Sequence, residues 1–160
     1  SQPLSRTVYS RRKELETTLE TLRMELNRQP EEEEIAERLG VTVQRYRALL
    51  DELRPVVFVP LHYMLDGDDE FSHSNDHYAA DLTQEDPGES TGRRELHALI
   101  RERIKQLNRK QQQVLLLFHY EGLRMEDVAE LMGISESRVC QINTEAVLSL
   151  RSYLQRQERI

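Results

Sequence analysis

The sequence has no tryptophan, one cysteine and no long apolar run, and each of these absences excludes a class of protein. Only 38% of its 160 residues are hydrophobic, which favours two small helical modules over one domain with a single large core. The lone Cys140 excludes a disulfide framework and fits a reducing, cytoplasmic location. No apolar stretch approaches the roughly 20 residues of a membrane span, and no signal peptide opens the chain. The chain starts at Ser1 without a methionine, so we expect a fragment with upstream sequence missing.

Basic residues are absent from the middle of the chain. The net charge of −7 argues at first against nucleic acid, but residues 55–92 contain nine acids and no Lys or Arg. Residues 93–160 contain twelve basic and nine acidic side chains, so the last part of the chain is mildly basic. The acidity therefore belongs to a linker, and it does not exclude DNA binding by the flanking segments.

One nine-residue pattern occurs twice. Residues 34–42 read EIAERLGVT, and residues 127–135 read DVAELMGIS. In each copy the alanine permits close helix packing, and the glycine can take the left-handed conformation that ends a helix. The final hydroxyl residue can cap the helix that follows. This combination predicts two helix-turn-helix units, an arrangement typical of proteins that read DNA.

Apolar periodicity predicts an all-α fold made of two small helix-turn-helix modules joined by an extended acidic linker. We expect module one at residues 1–55, the linker at 56–92 and module two at 93–160. Pro30 and Pro55 should each end a helix, because the residue before a proline is pushed out of the helical region. The expected helices cover residues 5–27, 31–39, 43–53, 94–107, 109–120 and 125–132, with a long last helix capped by Ser135.

The last helix presents the side chains expected to read bases, since Arg pairs with guanine, Gln with adenine and Glu with cytosine. The first motif is less convincing as a reader, because residues 31–34 are all Glu and would repel phosphates. It is at least as well suited to packing or docking. A basic cluster on the first helix suits phosphate contact. The candidate DNA-binding residues are Arg124, Ser135, Glu136, Ser137, Arg138, Cys140, Gln141 and Thr144, with Arg6, Arg11 and Arg12 on the first helix.

Two patterns in the linker resemble metal sites without meeting their requirements. Residues 66–70 read DGDDE like the start of a calcium loop, but Phe71 takes the place of the required glycine. His73 and His77 have a metal-ligand spacing in a segment with no helix to fix it. The sequence also lacks a phosphate loop, an HExxH motif and a nucleophile elbow. We therefore predict no catalytic residue, no metal site and no cofactor.

Leu107 to Leu154 resembles the part of bacterial sigma-70 family sigma factors that reads the −35 promoter element. The string SESRVCQI at residues 135–142 is similar to the flagellar and sporulation branch of that family, and residues 6–54 resemble its central domain. The resemblance implies a dissociable subunit of RNA polymerase. Module two would read the −35 element and dock on core polymerase, the linker would thread toward the active-site channel, and module one would touch DNA upstream of the −10 element.

The resemblance also implies regulation by an anti-sigma factor. Glu136 and Cys140 stand where the general family often has Arg, so we expect a different −35 sequence and weak DNA binding unless polymerase tethers the module. Two other functions stay open on the sequence alone. One is a free-standing helix-turn-helix regulator that binds its operator as a dimer, and the other is a helical interaction protein with no DNA role.

Overall fold

The computed structural model describes residues 6–57 and 91–158, and within these ranges the chain forms helices joined by short turns. The expected all-α fold is confirmed. The helices are α1 (Arg6–Leu26), α2 (Glu32–Leu39), α3 (Val43–Val57), α4 (Thr91–Gln106), α5 (Arg109–Val114), α6 (Met125–Met132) and α7 (Glu136–Glu158), with a π-helical segment (Leu115–Tyr120) directly after α5.

Two helices differ from the pattern expected from the sequence. The expected end of α3 before Pro55 is wrong, because the helix continues to Val57. A proline so close to a helix end removes only one backbone hydrogen bond, which the last turn can tolerate. The helix expected at residues 109–120 is α-helical only to Val114 and then widens into the π-helical segment. The bounds of the other helices lie within three residues of those expected. Asn108 caps α5 by accepting the N–H of Gln111 at 2.8 Å.

The two modules share one hydrophobic core, so the expectation of no single large core is wrong. Helix α7 packs against both α1 and α3, and its buried apolar residues extend from Val139 to Leu154. A second cluster of seven residues lies inside module two, under α6. The shared core consists of Leu15, Leu19, Leu22, Ile35, Ala36, Tyr46, Leu50, Leu53, Ile100, Leu107, Leu115, Ala146, Val147, Leu148, Leu150 and Leu154.

Ion pairs extend the contact between α1 and module two. Glu16 of α1 lies 3.3 Å from Arg151 of α7, and Glu20 lies 3.1 Å from Arg156. Burial raises the pKa of Glu16 although the charge of Arg151 opposes it. At Glu20 burial is outweighed by hydrogen bonds and charge from its arginines, and its pKa is lowered. The arginines that approach these two carboxylates are Arg12, Arg23, Arg103, Arg151 and Arg156.

The expected division into residues 1–55, 56–92 and 93–160 stays a prediction. Residues 58–90, which contain most of the acidic linker and both metal-like patterns, lie outside the described residues.

Candidate nucleic-acid interface

The second motif forms the turn that its sequence predicts. Gly133 ends α6 with a φ of 68°, in the left-handed region that favours glycine. The next N–H, from Ile134, donates to the carbonyl of Ala129 at 3.1 Å. Ser135 then accepts the backbone N–H of Arg138 at 3.1 Å and so caps α7. The end of one helix and the start of the next are therefore fixed by three consecutive residues.

The first motif forms the same turn. Gly40 has a φ of 74°, and the N–H of Val41 donates to the carbonyl of Ala36 at 3.0 Å. Thr42 accepts the backbone N–H of Arg45 at 3.1 Å, as Ser135 does for Arg138 in the second motif. The repeated sequence thus produces a repeated local structure, and both predicted helix-turn-helix turns are confirmed.

Four of the candidate DNA-binding residues lie at the surface of the second motif, three at its turn and one before α6. Ser135, Glu136 and Ser137 are exposed at the start of α7. Arg124 precedes α6 and makes no side-chain cap, and its guanidinium instead binds Glu126 at 2.9 Å and Asp127 at 3.2 Å. Helix α6 therefore depends on these two acids at its N-terminus, as the sequence indicates.

The next turns of α7 are covered, which corrects the expected outward position of Cys140 and Thr144. These side chains are 2% and 1% exposed; Cys140 belongs to the buried cluster inside module two, and α3 also packs against α7. The Thr144 hydroxyl donates back to the carbonyl of Cys140 at 2.9 Å. Burial also raises the pKa of the Cys140 thiol, so the reactive thiolate is disfavoured.

The two side chains best suited to read bases are bound to acids of module one. Arg138 Nη2 lies 2.6 Å from Glu32 Oε1, and the amide of Gln141 donates to Asp51 at 3.2 Å. Arg47 also binds Glu32, at 2.9 Å. Burial acts to raise the pKa of Glu32, but the hydrogen bond from Arg47 and the charge of Arg138 outweigh it, so this pKa is lowered. On this face of α7, Arg138 and Gln141 are therefore bound to side chains of module one, which compete with DNA for them.

A buried carboxyl group, Glu145, lies at the centre of the contact between the modules. The Tyr46 hydroxyl of α3 donates to Glu145 Oε1 at 2.6 Å, and the Gln111 amide of α5 donates to Oε2. Burial raises the pKa of Glu145 to about 7; the hydrogen bond from Tyr46 acts against this rise, while the negative charge of Glu32 adds to it.

Sequence reasoning did not identify Glu145 as part of the site. One signal could have found it. Tyr46 occupies a core position of α3, and a buried tyrosine hydroxyl usually needs a hydrogen-bond partner.

The expected basic cluster on α1 is divided between surface and interior. Arg6 is exposed, and the half-buried Arg11 binds Glu52 at 2.5 Å. Arg12 is only 8% exposed, faces Glu16 and lies over the ring of Tyr9 at 4.6 Å. Arg12 is therefore not part of an exposed cluster, whereas phosphate contact by Arg6 and Arg11 stays a prediction.

In residues 6–57 and 91–158, no group of three His, Cys, Asp or Glu side chains is placed to hold a metal ion. Within the same ranges, no helix has both the length and the apolar character needed to cross a bilayer.

Comparison with known families identifies both halves of the site. The model "Sigma-70 region 3" matches residues 10–85, and the model "Sigma-70, region 4" matches residues 103–152. The chain belongs to the sigma-70 family. The region 4 match contains the base-reading candidates from Arg124 to Thr144, and the region 3 match contains the acids that cover them. The contacts across the site therefore join region 3 to region 4 of this sigma-70 chain.

Curated sigma-70 proteins align with nearly the whole chain. The chain is 29% identical over 150 residues to the RNA polymerase sigma factor FliA of Salmonella typhimurium, and the alignment covers 93% of this chain and 61% of that protein. It is 29% identical over 153 residues to the RNA polymerase sigma-D factor of Bacillus subtilis, covering 96% of this chain and 60% of that protein. The chain thus spans about three fifths of the length of the curated relatives it matches.

A solved structure also aligns with the chain. It is the cocrystal structure of the flagellar sigma/anti-sigma complex Sigma-28/FlgM, at 26% identity and a TM-score of 0.48, covering 95% of this chain and 61% of that one.

Proposed function

We propose that this chain is the region 3 and region 4 part of an alternative sigma factor, a non-catalytic cytoplasmic subunit that directs RNA polymerase to specific promoters. The helix-turn-helix at Gly133 to Ser135, inside the region 4 match, is the observation that carries this proposal. Its partners would be core RNA polymerase and promoter DNA, and an anti-sigma factor would hold it inactive, as the sequence resemblance implies.

In this proposal α7 reads the −35 element. Ser137 and Glu136 are already exposed at its first turn, whereas Arg138 and Gln141 become free only when Glu32 and Asp51 of module one move away. Reading DNA therefore requires regions 3 and 4 to separate. Polymerase would supply the affinity for this step, because a tethered module binds DNA at high effective concentration.

The test is transcription by core polymerase reconstituted with the complete sigma factor. Replacing both Arg138 and Gln141 with Ala should lower transcription from its promoter by at least about tenfold, since each good base contact contributes about 1–3 kcal/mol. Binding to core polymerase should persist. Gln44→Ala, an exposed change on α3, the second helix of the first motif, is the control and should transcribe normally.

Two outcomes would contradict the proposal. Equal initiation from promoters with a scrambled −35 hexamer would remove the reading role of α7. Tight binding of the isolated chain to a two-fold DNA site as a dimer would favour a free-standing regulator. Copurification from the host tests the partners directly, since a sigma factor should bring down core polymerase subunits or an anti-sigma protein.

A further inference from the structure

The carboxyl group of Glu145, on α7, is hydrogen-bonded to side chains of two other helices, α3 and α5. Tyr46 comes from module one, and Gln111 comes from module two. The residue is 6% exposed, but part of that burial is supplied by α3 and would be lost if the modules separated. The environment of Glu145 therefore depends on whether the two modules are packed together.

The charge of Arg138 acts to lower the pKa of Glu145, but no cation of the described residues forms an ion pair with this carboxyl group. Arg138, on the same helix, is bound instead to Glu32 at 2.6 Å. A cleft of about 250 Å³ borders Glu145 and gives water a route toward the carboxyl group. The charged groups that line this cleft are Glu31 and Glu32 of the α2 end, Arg109 and Lys110 of α5, and Arg138 of α7.

We propose that Glu145 links the packing of the two modules to proton binding: its carboxyl group binds a proton while it lies between α3, α5 and α7, and releases the proton when the modules separate. The Tyr46 hydroxyl suits this role, because a hydroxyl can donate to the charged carboxylate or accept from the neutral acid. In the sigma factor proposed above, on which the functional meaning rests, a rise in pH would then favour the open form that exposes Arg138 and Gln141.

The direction of the effect follows from the two states of the carboxyl group. Burial among α3, α5 and α7 raises the pKa of Glu145 to about 7, and in this proposal separation of the modules returns it to its ordinary value of 4.5, so the packed form binds the proton more tightly. The contribution of Glu145 to packing is then complete below pH 4.5 and is lost as the pH rises to about 7. Between pH 6 and pH 8 the ratio of packed to separated molecules should fall by about tenfold.

The experiment measures the packing itself in the 160-residue chain. Two dyes are attached through unnatural amino acids at Gln44 of α3 and Leu131 of α6, both exposed, which leaves Cys140 untouched. Energy transfer between the dyes then reports the packed fraction from pH 6 to pH 8. From this fraction we obtain the ratio of packed to separated molecules, which should fall tenfold in wild type. It should fall threefold or less in E145Q, whose amide cannot release a proton.

A matched control is E95Q, the same change at an exposed glutamate of α4, which should retain the tenfold fall. A flat profile in wild type, or an unreduced fall in E145Q, would overturn the proposal. The result is separate from the test of sigma activity, because energy transfer needs no DNA and no polymerase. Failure of promoter-directed transcription would therefore leave this measurement standing, and the reverse also holds.

Discussion

Arg138 of α7 and Glu32 of α2 form an ion pair with 2.6 Å between Nη2 and Oε1, although 106 positions separate them in the chain. Arg138 is the strongest base-reading candidate, and Glu32 belongs to the acidic run that would repel DNA phosphates. The ion pair therefore holds α7 against module one, and Glu32 competes with DNA for the guanidinium of Arg138.

Replacing Glu32 with Gln should release this competition. The packed arrangement loses charge-assisted bonds to Arg138 and Arg47, a cost of about 1–2 kcal/mol, which corresponds to a shift of about 5- to 30-fold toward the open form. Binding of the isolated chain to a −35 duplex, measured by fluorescence anisotropy, should strengthen accordingly. Glu33→Gln removes the same charge from an exposed neighbour; if it strengthened binding equally, general electrostatics and not the ion pair would be responsible.

A glycine pair tests the turn of the second motif. Gly133→Ala places a side chain at a φ of 68° and should lower the free energy of unfolding by about 1 kcal/mol, because the left-handed region is strained for alanine. Gly92→Ala changes the same residue type at the second position of α4, where a Cβ meets nothing within 4 Å, and should raise stability by at most about 0.5 kcal/mol. Urea denaturation measures both. Equal effects of the two changes would show that the turn does not need glycine.

Two substitutions at the interface between α1 and α4 should change the free energy of unfolding in opposite directions. Arg103 is 1% exposed, two of its nitrogens have no hydrogen-bond partner, and burial lowers its pKa to about 10. Arg103→Met removes a buried charge that lacks full pairing and leaves Glu20 with Arg23 and Arg156, so it should raise the free energy of unfolding by about 1 kcal/mol. Glu20→Gln should lower it by about 2 kcal/mol, because it leaves Arg103, Arg23 and Arg156 without their carboxylate. Destabilisation by Arg103→Met in urea would contradict this account.

Packing of the two modules should be strongest at mildly acidic pH. The pKa of Glu32 is lowered, so its contribution is present above its ordinary value of 4.5 and is lost as the pH falls further. The pKa of Glu145 is raised to about 7, so its contribution is lost in the other direction. Energy transfer between the Gln44 and Leu131 dyes should thus peak between about pH 4.5 and 6. In E145Q the decline on the acidic side should persist, and its disappearance would contradict the role given to Glu32.

Local features of the site could be predicted from the sequence because short-range chemistry determines them. Gly133 must be left-handed and Ser135 must cap, whatever lies nearby, and the same argument holds for the first motif. The burial of Cys140 and Thr144 could not be predicted in this way. Helical periodicity tells which residues share a face, but it does not tell that Cys140 joins Met125 and Val128 in the cluster inside module two, or that α3 packs against α7.

The α1 cluster shows the same limit within one helix. Arg11 and Arg12 are neighbours in sequence and both basic, yet consecutive helical residues point about 100° apart. One therefore binds Glu52 near the surface, and the other turns toward Glu16 in the interior. The pairing of Glu145 with Tyr46 likewise depends on how two distant helices meet, which the pattern of a single helix does not contain.

Helix α7 is one continuous helix that connects the reading turn to the contact with α1. Its 23 residues make a rod about 35 Å long, with the turn that begins it at one end and the arginines that grip α1 toward the other. Because a helix moves as a rigid rod, we expect a ligand that separates Arg151 and Arg156 from α1 to shift the start of α7 as well. Binding at one end of α7 would then change the position of the reading turn at the other end.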